Sequence, residues 1–238
     1  MADEVLAEHF SNLFRKSERD YVVIADQRQI LDIDNLPDVE EVGTAINQLK
    51  NGTAAGNNGI IPELYKWGGQ QLTLKIQQCF EQIWEGRADF PEAWKTAKVV
   101  ILYKGKGSKK DLNNYRGIFL LDVGGKIMAR IIANRLMPHL ERILDDWQFG
   151  FRPKRGTAHA IGIIRKVQEQ ARYRNINVYA IFIDLEKAFD SVPRKVLWDC
   201  LQGMGFPLKD LQEVLVRAFS QWRKESDKVA YSVPYYST

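Results

Sequence analysis

The stretch Val178 to Val192, VYAIFIDLEKAFDSV, constrains this chain more than any other. Val178, Tyr179, Ala180, Ile181, Phe182 and Ile183 form an unbroken apolar run rich in β-branched and aromatic side chains. Such a run predicts a short strand buried on both faces. It ends on Asp184, and a second carboxylate, Asp190, follows just before a helix-like segment. A rigid strand with a carboxylate at its tip is one way to hold a divalent cation, because the carboxylate is a hard oxygen ligand and the strand end faces a cleft. Asp in this place also forms turns and caps helices. The residue types leave both roles open.

Composition bounds what surrounds that stretch. The 238 residues suffice for one large domain or two small ones. With 45% hydrophobic and 27% charged residues, the chain reads as a folded soluble protein. No apolar run approaches the roughly 20 residues of a membrane span. The acidic start, MADEVLAEHF, has no signal-peptide pattern. An intracellular location, cytoplasm or nucleus, is expected, with no secretion and no membrane partner. Cys79 and Cys200 are isolated, which argues against zinc and for reduced core residues. Charge is unevenly placed: residues 1–94 carry 8 Lys/Arg and 16 Asp/Glu, residues 95–238 carry 26 and 14. The basic part is a plausible footprint for a phosphate backbone, or simply the counterweight of the acidic part.

Helical spacing of Val5, Phe10, Leu13 and Phe14 predicts an amphipathic helix over 4–19, and a linker runs from Gln27 to Pro37. A second helix starts at Asp38, with Glu41 in the capping-box position and Val39, Val42, Ala45, Ile46 and Leu49 on one face. The turn Thr53–Gly59 follows. Helices are then predicted over about 62–67 and 70–86, the latter with Leu72, Ile76, Phe80, Ile83 and Trp84 inward. Ala97 to Tyr103 and Asn113 to Leu121 predict two strands joined by the Gly/Lys-rich tip Lys104–Lys110, a β-hairpin with a positive end. That tip is not a Walker loop, since Gly follows Gly105-Lys106 where Ser or Thr is required. It suits a triphosphate, whose charge Lys and Arg can neutralise, and equally suits plain solvation.

Residues 123–144 predict a long amphipathic helix interrupted by Pro138, with Ile127, Ile131, Leu136, Leu140 and Leu144 inward. Lys126, Arg130 and Arg135 project elsewhere on it, towards a nucleic-acid backbone or plain solvent. In Trp147 to Gly156, WQFGFRPKRG, aromatics and Arg interleave, which fits stacking on bases and pairing with phosphates, or a packed aromatic turn. The next helix, Thr157 to about Arg174, directs Ile161, Ile164 and Val167 to a core. Beyond Asp190, Pro193 opens a helix through Val196, Leu197 and Leu201, and Leu208 to Trp222 predicts another.

Four of these stretches together resemble the reverse transcriptases of non-LTR (LINE-type) retrotransposons, in that family's order. Phe182-Ile183-Asp184-Leu185-Glu186-Lys187-Ala188-Phe189-Asp190-Ser191-Val192 is similar to the first palm motif. Val99 to Lys104 and Asn114-Tyr115-Arg116-Gly117-Ile118 resemble the two fingers strands, and Gln148-Phe149-Gly150-Phe151-Arg152-Pro153 matches a further motif without a gap. Gly56-Asn57-Asn58-Gly59-Ile60-Ile61-Pro62 is a looser match, with Asn58 where Asp is usual and one extra residue before the Pro. Phe119 also departs from the usual Ser. The resemblance covers about residues 38–225.

The resemblance implies that Asp184 binds catalytic Mg2+ and that Phe189 is the steric gate against a 2′-hydroxyl. It implies that Arg116, with Lys104 as the weaker candidate, contacts the incoming triphosphate. Gln148, Phe151 and Arg152 would help shape the template and nucleotide pocket. RNA template, DNA primer and dNTPs are the implied partners. The implied fold is α+β, a right-hand polymerase with helix-rich fingers, a β-hairpin and an incomplete palm sheet. The expected divisions are an arm and linker over 1–37, fingers over 38–177 and partial palm over 178–238.

The family's later Asp-Asp pair is not found: Asp145-Asp146 precedes Asp184 and follows a helix, where Asp-Asp ordinarily forms a turn. The sequence therefore predicts a truncated RNA-directed DNA polymerase, marginally folded and inactive alone, with Val178–Ile183 left as a sheet edge. The alternative is a non-catalytic nucleic-acid-binding or interaction module derived from a retroelement.

Overall fold

Asp38 opens the first described helix by closing a reciprocal cap. Its Oδ1 accepts the Glu41 backbone N–H at 2.8 Å, and Glu41 Oε2 accepts the Asp38 N–H at 3.3 Å. The helix so opened, α1 (Val39–Asn47), buries Val42, Ala45 and Ile46. The computed structural model describes residues 35–185, 188, 192–204 and 206. The expected helices over 4–19 and 208–222 lie outside the described residues.

Two compact units divide the described chain. The first holds 35–133 together with 192–204 and 206; the second holds 134–185 and 188. This boundary falls inside a helix.

In the first unit, α1 is followed by α2 (Pro62–Trp67), α3 (Gly69–Trp84) and the short α4 (Glu92–Lys95). Pro62 occupies the first helical position, where its missing N–H costs nothing. Phe80 and Ile83 of α3 are buried, while Leu72, Ile76 and Trp84 are half-buried. The strands β1 (Ala97–Tyr103) and β2 (Tyr115–Leu121) pair antiparallel, with Ala97 opposite Leu121 and Tyr103 opposite Tyr115. Asn113 and Asn114, expected in the strand, belong instead to a 3-10 turn over Leu112–Asn114, because Asp111 accepts the Asn113 N–H and tightens the chain. Period-two alternation turns Ala97 and Val99 inward and leaves Leu102 and Ile118 exposed.

Behind the hairpin runs α5 (Val123–Ile143), whose buried residues are Val123, Gly124, Ile127, Met128, Ile131 and Ile132. Trp94 locks it in place. Its ring meets Phe80 edge-on at 5.7 Å and Phe90 at 6.3 Å. A Cβ on Gly124 would come within 2.5 Å of the same indole, so only glycine lets the helix approach this closely. Pro138 does not interrupt α5 as expected; the helix runs through it to Ile143. The Pro nitrogen cannot bond the carbonyl of Asn134, and the division between units falls at that residue. Leu136, Leu140 and Leu144 are only half-buried. After the undescribed residues, α7 (Arg194–Gly203) also belongs to the first unit.

The second unit continues through a turn into α6 (Thr157–Tyr173). Two expectations fail here. Ile161, Ile164 and Val167 are 50%, 43% and 45% exposed, so the apolar face of α6 is not a core face among the described residues. Residues 178–183 form no strand, and Tyr179, Ile181, Phe182 and Ile183 are all more than 80% exposed. The physical reason is common to both. Apolar pattern creates a demand for burial, but a strand needs a neighbour to bond and a helix face needs a surface to cover it. The only sheet among the described residues is the β1–β2 pair, and it offers 178–183 no partner.

Candidate nucleotide and template site

The expected site residues fall in both units, and each unit is taken by itself. In the first, Arg116 lies on β2 opposite Leu102 of β1, exposed on the outward face of the hairpin. Lys104 follows β1 directly. Its backbone N–H donates to Asn114 O at 2.7 Å, and its Nζ donates to Asn113 O at 2.7 Å. Lys106, Lys109 and Lys110 complete an exposed basic tip.

The foot of the same hairpin carries a group that sequence reasoning missed. Asp122 is 1% exposed; its Oδ1 accepts the Gly124 N–H at 2.9 Å and caps α5, while its Oδ2 has no hydrogen-bond partner. The cap position could have been read from an Asp between a strand and a helical pattern. The loop before α2 presses on it: a Cβ on Gly56 would lie 2.8 Å from the Asp122 nitrogen. Asn57 ties that loop to Thr96, at the start of β1, at 3.1 Å. Burial, and then the nearby Asp122 charge, pushes the Tyr65 hydroxyl above its usual pKa.

In the second unit, the motif Gln148 to Pro153 is a turn held by arginine. Arg152 is buried. Its Nε and Nη2 donate to the Glu141 carboxylate at 3.1 and 2.8 Å, and its Nη1 donates to the Asp145 carbonyl at 2.6 Å. This forked pairing is the strong kind. It holds the Glu141 carboxyl below its usual range, chiefly through the Arg152 hydrogen bond. The guanidinium is thus committed to the turn itself. Glu141 lies far back in α5, and no local pattern announced it. A second brace joins Arg155 to Asp146, at 2.9 Å from Nη2 to Oδ1, with the Arg155 guanidinium 5.9 Å from the Phe149 ring centroid. Asp145 Oδ1 accepts the Trp147 N–H at 2.8 Å, so the Asp145-Asp146 pair builds a turn.

Held this way, Phe151 adopts a left-handed φ of 59° and is 83% exposed. Gln148 is exposed as well. A non-glycine residue with positive φ stores strain that the surrounding bonds must offset. Asp184, also in this unit, is exposed at the end of the apolar run. Phe189 lies outside the described residues. Among the described residues no three His, Cys, Asp or Glu side chains gather as metal ligands.

Comparison with known proteins gives this arrangement its family. The reverse transcriptase (RNA-dependent DNA polymerase) family matches residues 107–234, more than half of the chain, and the chain belongs to that family. Within it, the chain is of the non-LTR, LINE-type branch. It is 37% identical over 156 residues to a probable RNA-directed DNA polymerase from transposon BS of Drosophila melanogaster, covering 65% of this chain and 17% of that protein. It is 33% identical over 175 residues to a putative 115 kDa protein in the retrotransposable element R1DM of the same fly, covering 71% and 16%. To the RNA-directed DNA polymerase from mobile element jockey of Drosophila funebris it is 27% identical over 194 residues, covering 79% and 20%. The chain thus spans a fifth or less of these relatives' length. The matched span includes Arg116, Gln148, Phe151, Arg152, Asp184 and Phe189, while Lys104 precedes it. No helix among the described residues is long and apolar enough to cross a membrane.

Proposed function

We propose that this chain carries the nucleotide-binding side of an RNA-directed DNA polymerase, its hairpin on the fingers and Asp184 on the palm of a right-hand arrangement. The observation behind the reading is Arg116, an exposed guanidinium on the open face of β2 below a tip bearing four lysines. Fixed cations aimed at a triphosphate stabilise the charge that develops as pyrophosphate leaves. Arg116 and Lys104 neutralise the dNTP, and Gln148 and Phe151 line the template side. Arg152 acts through the turn it holds, and Phe189 rejects the 2′-hydroxyl. Contacts with RNA template and DNA primer go to the backbone, which positions without reading sequence.

Asp184 offers one exposed carboxylate. That donor suits Mg2+, which takes oxygen ligands and commonly uses one or two carboxylates together with substrate phosphates. When bound, the ion would neutralise negative charge on the transferring phosphoryl group.

Titration of a fluorescent dATP into the chain with magnesium tests the reading. Arg116→Ala is expected to weaken binding about tenfold or more, as for a lost charge-assisted contact; unchanged affinity would falsify the assignment. A second reading, binding of single-stranded nucleic acid without chemistry, draws on the exposed Trp147, Phe151 and Tyr173 of the basic second unit. RNA binding that survives chelation and Asp184→Ala, with no primer extension, favours it. Extension lost in Asp184→Ala favours the polymerase.

A further inference from the structure

The basic tip between β1 and β2 is closed by the two tyrosines that flank it. Tyr103 and Tyr115 face each other across the hairpin, with ring centroids 5.4 Å apart and planes tilted by 55°. Each hydroxyl then reaches into the tip. Tyr103 Oη donates to the Gly107 carbonyl at 2.5 Å, and Tyr115 Oη donates to the Lys109 carbonyl at 2.9 Å. Between them, Asn114 Nδ2 donates to the Ser108 carbonyl at 2.9 Å. Three successive carbonyls are thus tied by side chains that flank the tip.

Lys109 Nζ sits 5.9 Å from the Tyr103 ring centroid, so the same ring also orients a cation. Gly105 and Gly107 supply left-handed φ of 73° and 79°. A Cβ on Gly107 would lie 2.5 Å from Asn114 Nδ2, so that position admits no larger residue without moving the Asn114 amide.

A glycine-rich tip with Lys104, Lys106, Lys109 and Lys110 has two reasons to open: backbone freedom and mutual repulsion of its ammonium groups. A ligand that had to order such a tip would bind more weakly by that cost. We infer that Tyr103 and Tyr115 are positioning residues whose hydroxyls hold the tip closed before ligand arrives, so that its lysines meet a polyphosphate as a preformed set. The inference rests on the triphosphate reading above and adds to it the tyrosine hydroxyls that set the tip's affinity.

Phenylalanine at both positions keeps the rings and removes only the hydroxyls. In the full chain, Y103F/Y115F is expected to leave the thermal midpoint unchanged and to speed tryptic cleavage after Lys106, Lys109 and Lys110. Each lost hydrogen bond is worth about three- to fivefold in tip opening. Affinity for inorganic tripolyphosphate falls by about tenfold in the double variant, and each single variant falls part of the way. Unchanged cleavage overturns the inference, and so does faster cleavage with unchanged tripolyphosphate affinity. A loss confined to single-stranded RNA binding overturns it too. If the unsubstituted chain binds no tripolyphosphate, the triphosphate reading fails with it. That outcome is told apart because Arg116→Ala then has nothing to weaken.

Discussion

The two units are built from equally apolar sequence and are held together by different means. The first unit buries side chains from α1, α3, β1 and α5, with Trp94 packed against Phe80, Phe90 and Gly124, and with Phe80, Ile127 and Ile131 almost wholly removed from water. The second buries Ala171 and the Arg152 side chain among its described residues, and its order comes from arginine braces around one turn. The contrast teaches that an apolar pattern states a need, and the presence of a partner surface decides whether it is met.

The largest test of that contrast is a pair of truncations. Phe80→Ala is expected to cost about 3–5 kcal/mol, the usual range for a buried aromatic, whereas Ile164→Ala on the exposed face of α6 stays within about 0.5 kcal/mol. Urea unfolding of the full chain measures both, and equal costs would break the comparison.

Glycine substitutions sharpen it with opposite signs. At Gly56 an added methyl would meet the Asp122 backbone at 2.8 Å, where neither side can yield cheaply. Gly56→Ala should destabilise by about 1–3 kcal/mol. At Gly162, inside α6, a Cβ meets nothing within 4 Å. Gly162→Ala should stabilise by about 0.5–1 kcal/mol through helix propensity alone. Thermal midpoints that move in the same direction for both would contradict the packing described for the two units.

The smallest effect is on pH. The Glu141 carboxyl is held below its usual range in the folded chain, mainly by Arg152. Its contribution is complete above the ordinary carboxylate pKa of about 4.3 and is lost as pH falls through the lowered folded value. The Arg152 Nε–H resonance, protected while the pair is closed, should persist at pH 5 and broaden on further acidification. In Glu141→Gln that acid transition should disappear, and a transition at the same pH in the variant would assign it elsewhere.

How far the sequence could be read follows the same division. The Asp38–Glu41 cap, α1 to α3 and the paired strands were legible, since capping chemistry and hydrophobic period act over a few residues and the first unit contains the surfaces those periods require. The family was legible too, because its motifs are local strings. The inward faces expected for Ile161, Ile164 and Val167 and the strand expected at 178–183 were not realised, because periodicity says which side chains share a face and nothing about what covers it. Within the candidate site, Arg116 and Arg152 could be named from their motifs. The partner of Arg152 could not, because Glu141 reaches it from the preceding helix. The tyrosine hydroxyls were likewise invisible: Tyr103 and Tyr115 stood inside quoted motifs, but only the hairpin register sets them face to face.

Exposure of Tyr179, Ile181, Phe182 and Ile183 bears finally on abundance. A water-facing apolar segment of this length is a natural handle for chaperones and proteases, which continuously sort chains by the surface they leave uncovered. A strand laid against it from any source would hide that handle and supply the backbone partners that the run lacks among the described residues.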